Sequence, residues 1–155
     1  MFSIIARNER GVLMELKNLI GQCFCGAIKY EVERPLKFIA HDHCSICRRI
    51  SGAAFVTWAG TKENQFKLLA GADNISSFKT TAEAERQFCK TCGSHLFFRS
   101  TRWPDEVHFT VATVTSDFVD QPKSHVFFSD KAKWIDIHDE LPRYGGKTGV
   151  EPINE

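Results

Sequence analysis

Six cysteines in three close pairs constrain this chain more than any other feature: Cys23-x-Cys25-Gly26, Cys44-x-x-Cys47 and Cys89-x-x-Cys92-Gly93. A Cys-x-x-Cys followed by Gly turns tightly enough to aim two sulfurs at one point, backbone N–H groups donate to those sulfurs, and Gly accepts the positive φ that follows. Two such pairs complete a tetrahedron of soft thiolates, the donor set that suits zinc. Three competing uses of the thiols are weaker. Buried cysteines acting as small hydrophobes explain one or two positions but not three close pairs. A redox dithiol needs its Cys-x-x-Cys at the start of a helix in a βαβ unit, and no such unit is legible here. Disulfides belong to oxidising compartments, and the first apolar stretches are broken by charge and carry no signal-peptide h-region or cleavage site. A cytoplasmic, zinc-binding chain is the expectation. The three pairs can be joined in three ways, each leaving one pair over.

The chain is 155 residues long, which fits one domain. Twenty Lys and Arg against nineteen Asp and Glu leave a net charge of +1, without the excess of positive charge that grips phosphate backbones. Nucleic acid is therefore not expected as a partner. Nor is a membrane, because no apolar run approaches the ~20 residues that cross a bilayer. No repeat, low-complexity tract or internal linker divides the chain. Residues 1–13, which precede Met14, read as a flexible N-terminal extension or a weak extra strand, and residues 14–155 as a single zinc-binding β domain.

Short stretches with an apolar period near two predict strands rather than helices. Ile28, Tyr30 and Val32 alternate with Lys29 and Glu31 in the first of them. Such runs span 27–32, 36–43, 53–59, 65–69, 75–80, 83–88, 95–99, 107–114 and 125–128, with turn residues between most of them. Helix is expected only as short turns after Cys44 and around 130–134. The class is mainly β.

Six ordered blocks then carry a resemblance. They are Gly21-x-Cys23-x-Cys25-Gly26-Ala27, His43-Cys44-Ser45-Ile46-Cys47-Arg48-Arg49-x-Ser51-Gly52-Ala53, Phe88-Cys89-x-x-Cys92-Gly93-Ser94, Pro122-x-x-His125-Val126-Phe127, Trp134, and Asp139-Glu140-Leu141-Pro142. Over about Gly21 to Pro142 the chain resembles the glutathione-dependent formaldehyde-activating enzymes. The resemblance implies an Mss4-like fold of stacked antiparallel sheets. It also implies a closed structural zinc on Cys23, Cys25, Cys89 and Cys92, and a second, catalytic zinc at Cys44 and Cys47 with a position open to substrate. The implied activity is that of a carbon–sulfur lyase or synthase of the S-(hydroxymethyl)glutathione type, acting on glutathione or a similar thiol and on formaldehyde or another small aldehyde.

One position departs from the family pattern. The family's third thiolate lies two residues before the first Cys of the middle pair, where this chain has Asp42. On an extended segment residues i and i+2 share a face, so Asp42 points where Cys44 points, and a carboxylate can bind zinc at about 2.0–2.2 Å. Asp42 is the first candidate for the third ligand and His43 the second. Arg48, Arg49 and Ser51 are candidates for holding a substrate carboxylate or hydroxyl beside the metal, since a guanidinium grips carboxylates bidentately. His95 and His125 are candidate general bases, and Phe55, Trp58 and Trp134 candidate walls of a pocket. The rival classes are a zinc-stabilised scaffold or binding module without catalysis, and a nucleic-acid-binding zinc ribbon, which the charge disfavours.

Overall fold

The computed structural model describes residues 5–7, 13–15 and 17–153. Its strands are β1 (Ile5–Arg7), β2 (Leu13–Glu15), β3 (Leu19–Gln22), β4 (Lys29–Val32), β5 (Phe38–Asp42), β6 (Val56–Lys62), β7 (Phe66–Ala70), β8 (Ile75–Lys79), β9 (Ala84–Cys89), β10 (His95–Ser100), β11 (Glu106–Thr110), β12 (His125–Val126), β13 (Tyr144–Gly145) and β14 (Glu151–Pro152). One α-helix, α1 (Ser45–Ser51), follows β5. Of the N-terminal extension expected over 1–13, residues 1–4 and 8–12 lie outside the described residues, and β1 pairs antiparallel with β2. The mainly β class read from the period-two runs is the class observed. The run at 107–114 leaves the strand after Thr110 as a 3-10 turn, and of the helical turn expected around 130–134 only Asp130 is helical, as the last residue of the 3-10 segment Phe128–Asp130.

Two sheets form the body. A seven-stranded sheet has the order β12-β5-β6-β11-β10-β9-β8, and a three-stranded sheet the order β3-β4-β7. All pairings within them are antiparallel except β12 with β5, which run parallel. The apolar alternation decides which faces meet. Leu19, Tyr30 and Val32 from the small sheet pack against Ile39, Ala59, Phe97, Val107 and Phe109 from the large one. Full burial of each large apolar side chain is worth about 1.5–3 kcal/mol, so this shared layer is the main driving force for stacking. Tyr30 sits at its centre, edge-on to Phe97 with ring centroids 5.1 Å apart.

The other face of the large sheet carries the intervening residues: Phe38, Ala40 and Asp42 on β5, Trp58 on β6, Arg86 on β9, Phe98 on β10 and His108 on β11 all line one cavity. Strand pleat alone separates core from cavity.

Gly21 shows how tightly the small sheet is fitted. It is the cross-strand partner of Tyr30, and a Cβ there would meet the phenol carbon Cζ at 2.1 Å. Tyr30 is fully buried and its hydroxyl is hydrogen-bonded to Thr113 Oγ1 at 2.7 Å, so the ring has nowhere to move. Gly21→Ala should cost about 1–3 kcal/mol, the usual range for overpacking a core, read as a lower denaturant midpoint with an unchanged slope.

Candidate metal centres

The first centre joins the two sheets. Cys23 and Cys25 follow the end of β3, while Cys89 closes β9 and Cys92 stands in the turn after it. The four sulfurs lie within 4.8 Å of one another, with Cys23 to Cys25 at 3.5 Å and Cys25 to Cys89 at 3.8 Å. A tetrahedron with metal–sulfur bonds of about 2.3 Å has edges of about 3.8 Å, so the group has the size that a bound metal ion requires. None of the six cysteines forms a disulfide. The turns have the expected form: Gly26 and Gly93 take φ of 76° and 74°, and the Ile28 amide donates to Cys23 Sγ at 3.2 Å. Ser94 ties the turns together, since its hydroxyl accepts from the Phe24 amide at 2.9 Å and lies 3.2 Å from Cys92 Sγ.

The second centre lies on the cavity face. Asp42 ends β5, Cys44 stands just before α1, and Cys47 is one turn along it, so three donor atoms fall within 4.8 Å of one another. Asp42 divides its carboxylate. Oδ1 accepts from the Cys44 amide at 2.7 Å, while Oδ2 faces Cys47 Sγ at 3.4 Å. For a tetrahedral ion with one carboxylate oxygen and two sulfurs the oxygen–sulfur edge is about 3.6 Å, so this trio also fits a metal, with three donors gathered among the described residues. Burial pushes the Asp42 carboxyl up to about 6. Hydrogen bonding to the Cys47 thiol proton brings Cys44 down to about 6, and the same interaction together with burial raises Cys47. A metal ion would displace that proton and favour the ionised carboxylate.

His43, the second candidate ligand, faces the opposite way. Its Nε2 lies 2.8 Å from His125 Nδ1, and His125 Nε2 lies 3.0 Å from both Asp139 carboxylate oxygens. Burial takes His43 down to about 4. This chain of groups, together with the His43 amide bonded to the Val126 carbonyl at 3.0 Å, braces the loop that presents Asp42 and Cys44. His125 is thereby engaged at both ring nitrogens. His95 packs edge-on to Trp58 at 5.2 Å, and neither His95 nor His125 lines the cavity.

The cavity has a volume of about 710 Å³, within the range of small-molecule sites. Trp58 lines it as expected, joined by Phe38, Phe98, Trp103 and Phe127. Phe55 instead packs against His41 and His43, and Trp134 is 74% exposed. The residues expected to bind substrate are elsewhere. Arg48 donates to the backbone carbonyls of His43 at 3.2 Å and Asp130 at 3.0 Å, Arg49 is exposed, and the Ser51 hydroxyl bonds back to the Cys47 carbonyl at 2.8 Å. None of the three lines the cavity. Arg86 and His108 do, and neither was singled out from the sequence. For His108 the signal was present: Glu106 and His108 alternate with the core residues Val107 and Phe109. Arg86 had none, since Glu85, Arg86 and Gln87 are three polar residues in a row.

Among the described residues, no helix is long and apolar enough to cross a membrane. The sequence model of the family described as "Glutathione-dependent formaldehyde-activating enzyme" matches residues 18–130. A putative enzyme of that name from Halomonas elongata is 29% identical over 126 residues, covering 77% of this chain and 80% of its own length. Another from Aspergillus flavus is 31% identical over 130 residues, 81% of this chain but 59% of the fungal one. Among solved structures, the crystal structure of a Rhodobacter sphaeroides protein superposes with a TM-score of 0.55 at 28% identity, covering 64% of this chain and 91% of that one.

Proposed function

We propose, for a chain that belongs to the glutathione-dependent formaldehyde-activating enzyme family, that it is a zinc-dependent carbon–sulfur lyase or synthase acting on glutathione or a related thiol and formaldehyde or another small aldehyde. The observation that carries this reading is the trio of Asp42, Cys44 and Cys47, gathered within 4.8 Å at a cavity of about 710 Å³. The same family relation and the all-thiolate donor set support zinc at the Cys23, Cys25, Cys89 and Cys92 centre, which is saturated by protein and therefore structural.

Zinc held by Asp42, Cys44 and Cys47 would supply the positive charge that favours a thiolate near neutral pH or polarises a carbonyl oxygen. The chain's own residues do the rest. Asp42 is oriented by the Cys44 amide, α1 sets the spacing of the two thiols, and Phe38, Trp58 and Phe98 wall the cavity with rings that limit water around the reacting atoms. The bond made or broken joins the thiol sulfur to the aldehyde carbon.

A scaffold without catalysis is the second reading, and one observation favours it: Cys47 already accepts from an Arg86 nitrogen at 3.3 Å and Asp42 from the Cys44 amide, so the trio has partners without a metal. The experiment that separates the two is exchange between glutathione and its hydroxymethyl adduct, followed by NMR with zinc-loaded protein. Acceleration over buffer is expected. Asp42→Ala should weaken zinc at this centre by more than about 10-fold, the lower end of what loss of a mere outer-shell partner costs, and Asp42→Cys should restore it. Protein that carries two zinc ions yet leaves the exchange rate at its buffer value would support the scaffold.

A further inference from the structure

One charged group in the cavity has donors to spare. Arg86, on β9, is only 6% exposed. Its Nη2 donates to Cys47 Sγ at 3.3 Å, whereas Nε and Nη1, both buried from solvent, have no hydrogen-bond partner among the described residues. The guanidinium is held in place by its face, which lies 4.1 Å from the centroid of the Phe98 ring. The other cations lining the cavity are already neutralised: Lys37 is paired with Glu106, and Arg102 with Glu83 at 2.8 Å. Among the described residues Arg86 forms no ion pair with a carboxylate. A buried guanidinium with two idle N–H donors is unfavourable on its own and becomes favourable when an anion takes them.

We infer that Arg86 forms an oxyanion subsite, whose Nε–H and Nη1–H donors receive a negatively charged oxygen next to the Asp42, Cys44 and Cys47 centre. The identity of that oxygen rests on the reaction proposed above. When the thiol, having released its proton to water, adds to the aldehyde, the carbon–sulfur bond forms and the C=O π pair moves onto oxygen. The resulting alkoxide then takes a proton from water, so the proton lost by the thiol is the one the product hydroxyl gains. Arg86 acts by hydrogen bonding to the charge as it develops. The adduct oxygen is two bonds from sulfur, while the carboxylates of a tripeptide thiol are many bonds away. Contact between Arg86 and Cys47 therefore favours the adduct oxygen.

Two measurements test the subsite. The first follows the fluorescence of the cavity residues Trp58 and Trp103 while zinc-loaded protein is titrated with formate, a small oxygen anion. Wild type should respond saturably, Arg86→Gln should bind about 10-fold more weakly, and Arg86→Lys should fall between, as expected when a charge-assisted donor pair is lost or reduced to a point charge. The second is turnover. Arg86→Gln should lose about 100- to 1000-fold in kcat, the range for removing an oxyanion donor, with KM for glutathione changed little. Formate affinity unchanged in folded Arg86→Gln, or no saturable response in wild type, would overturn the subsite. A raised KM for glutathione with kcat intact would also overturn it, by giving Arg86 to a thiol carboxylate. If wild type does not turn over glutathione and formaldehyde but formate binding depends on Arg86, the reaction falls and the subsite stands.

Discussion

Cys89→Ala is expected to leave the chain unfolded at room temperature, with a collapsed far-ultraviolet strand signal and an NMR spectrum without dispersion. Cys89 is fully buried at the end of β9, and with Cys92 it meets Cys23 and Cys25 arriving from the other sheet. Structural zinc sites contribute about 10–16 kcal/mol toward folding, whereas the net stability of a domain is only about 5–15 kcal/mol. Losing one of four thiolates thus removes a contribution as large as the whole margin. A thermal midpoint within a few degrees of wild type would show that the stacked aromatic layer around Tyr30 suffices by itself.

Cys47→Ala should act in the opposite sense: the fold persists and the reaction stops. Cys47 is buried, but in a small cluster with Val56 and Trp58 rather than in the layer between the sheets, and truncation there should cost about 1 kcal/mol for the packing lost. It also deprives Arg86 of the one hydrogen-bond acceptor it has among the described residues, adding about 1–3 kcal/mol for a buried donor left unpaired. Cys47→Ser keeps an acceptor for Arg86 and should recover part of that stability without recovering turnover. Both variants should slow exchange of the glutathione adduct by at least about 100-fold, beyond the 10- to 100-fold typical of losing an outer-shell partner. Substantial residual turnover would move the chemistry away from this trio.

What could be read from the residues and what could not divides along local and non-local lines. The Gly-terminated turns at Cys25 and Cys92 depend on neighbouring residues only, and Gly26 and Gly93 do take positive φ. Alternation on β5 likewise placed Asp42 with Cys44 and turned His43 away. The strand Leu19–Gln22 escaped notice because Gly21 interrupts its pattern, and its reason for being glycine is a ring on the next strand. Arg48 and Arg49 were candidates because they adjoin Cys47 in sequence, but α1 carries Arg48 back to two carbonyls and leaves Arg49 in solvent. The group that does reach Cys47 comes from residue 86, 39 positions away. Only the order of strands in the large sheet brings it there, and that order, including the parallel pairing of β12 with β5, depends on contacts between distant segments.

Counting zinc per folded chain by native mass spectrometry tests the division between a closed structural centre and an open reactive one most directly. Wild type should carry two ions and Cys47→Ala one, in a chain that stays compact. Two ions retained by Cys47→Ala, or a compact Cys89→Ala chain still holding both, would contradict it.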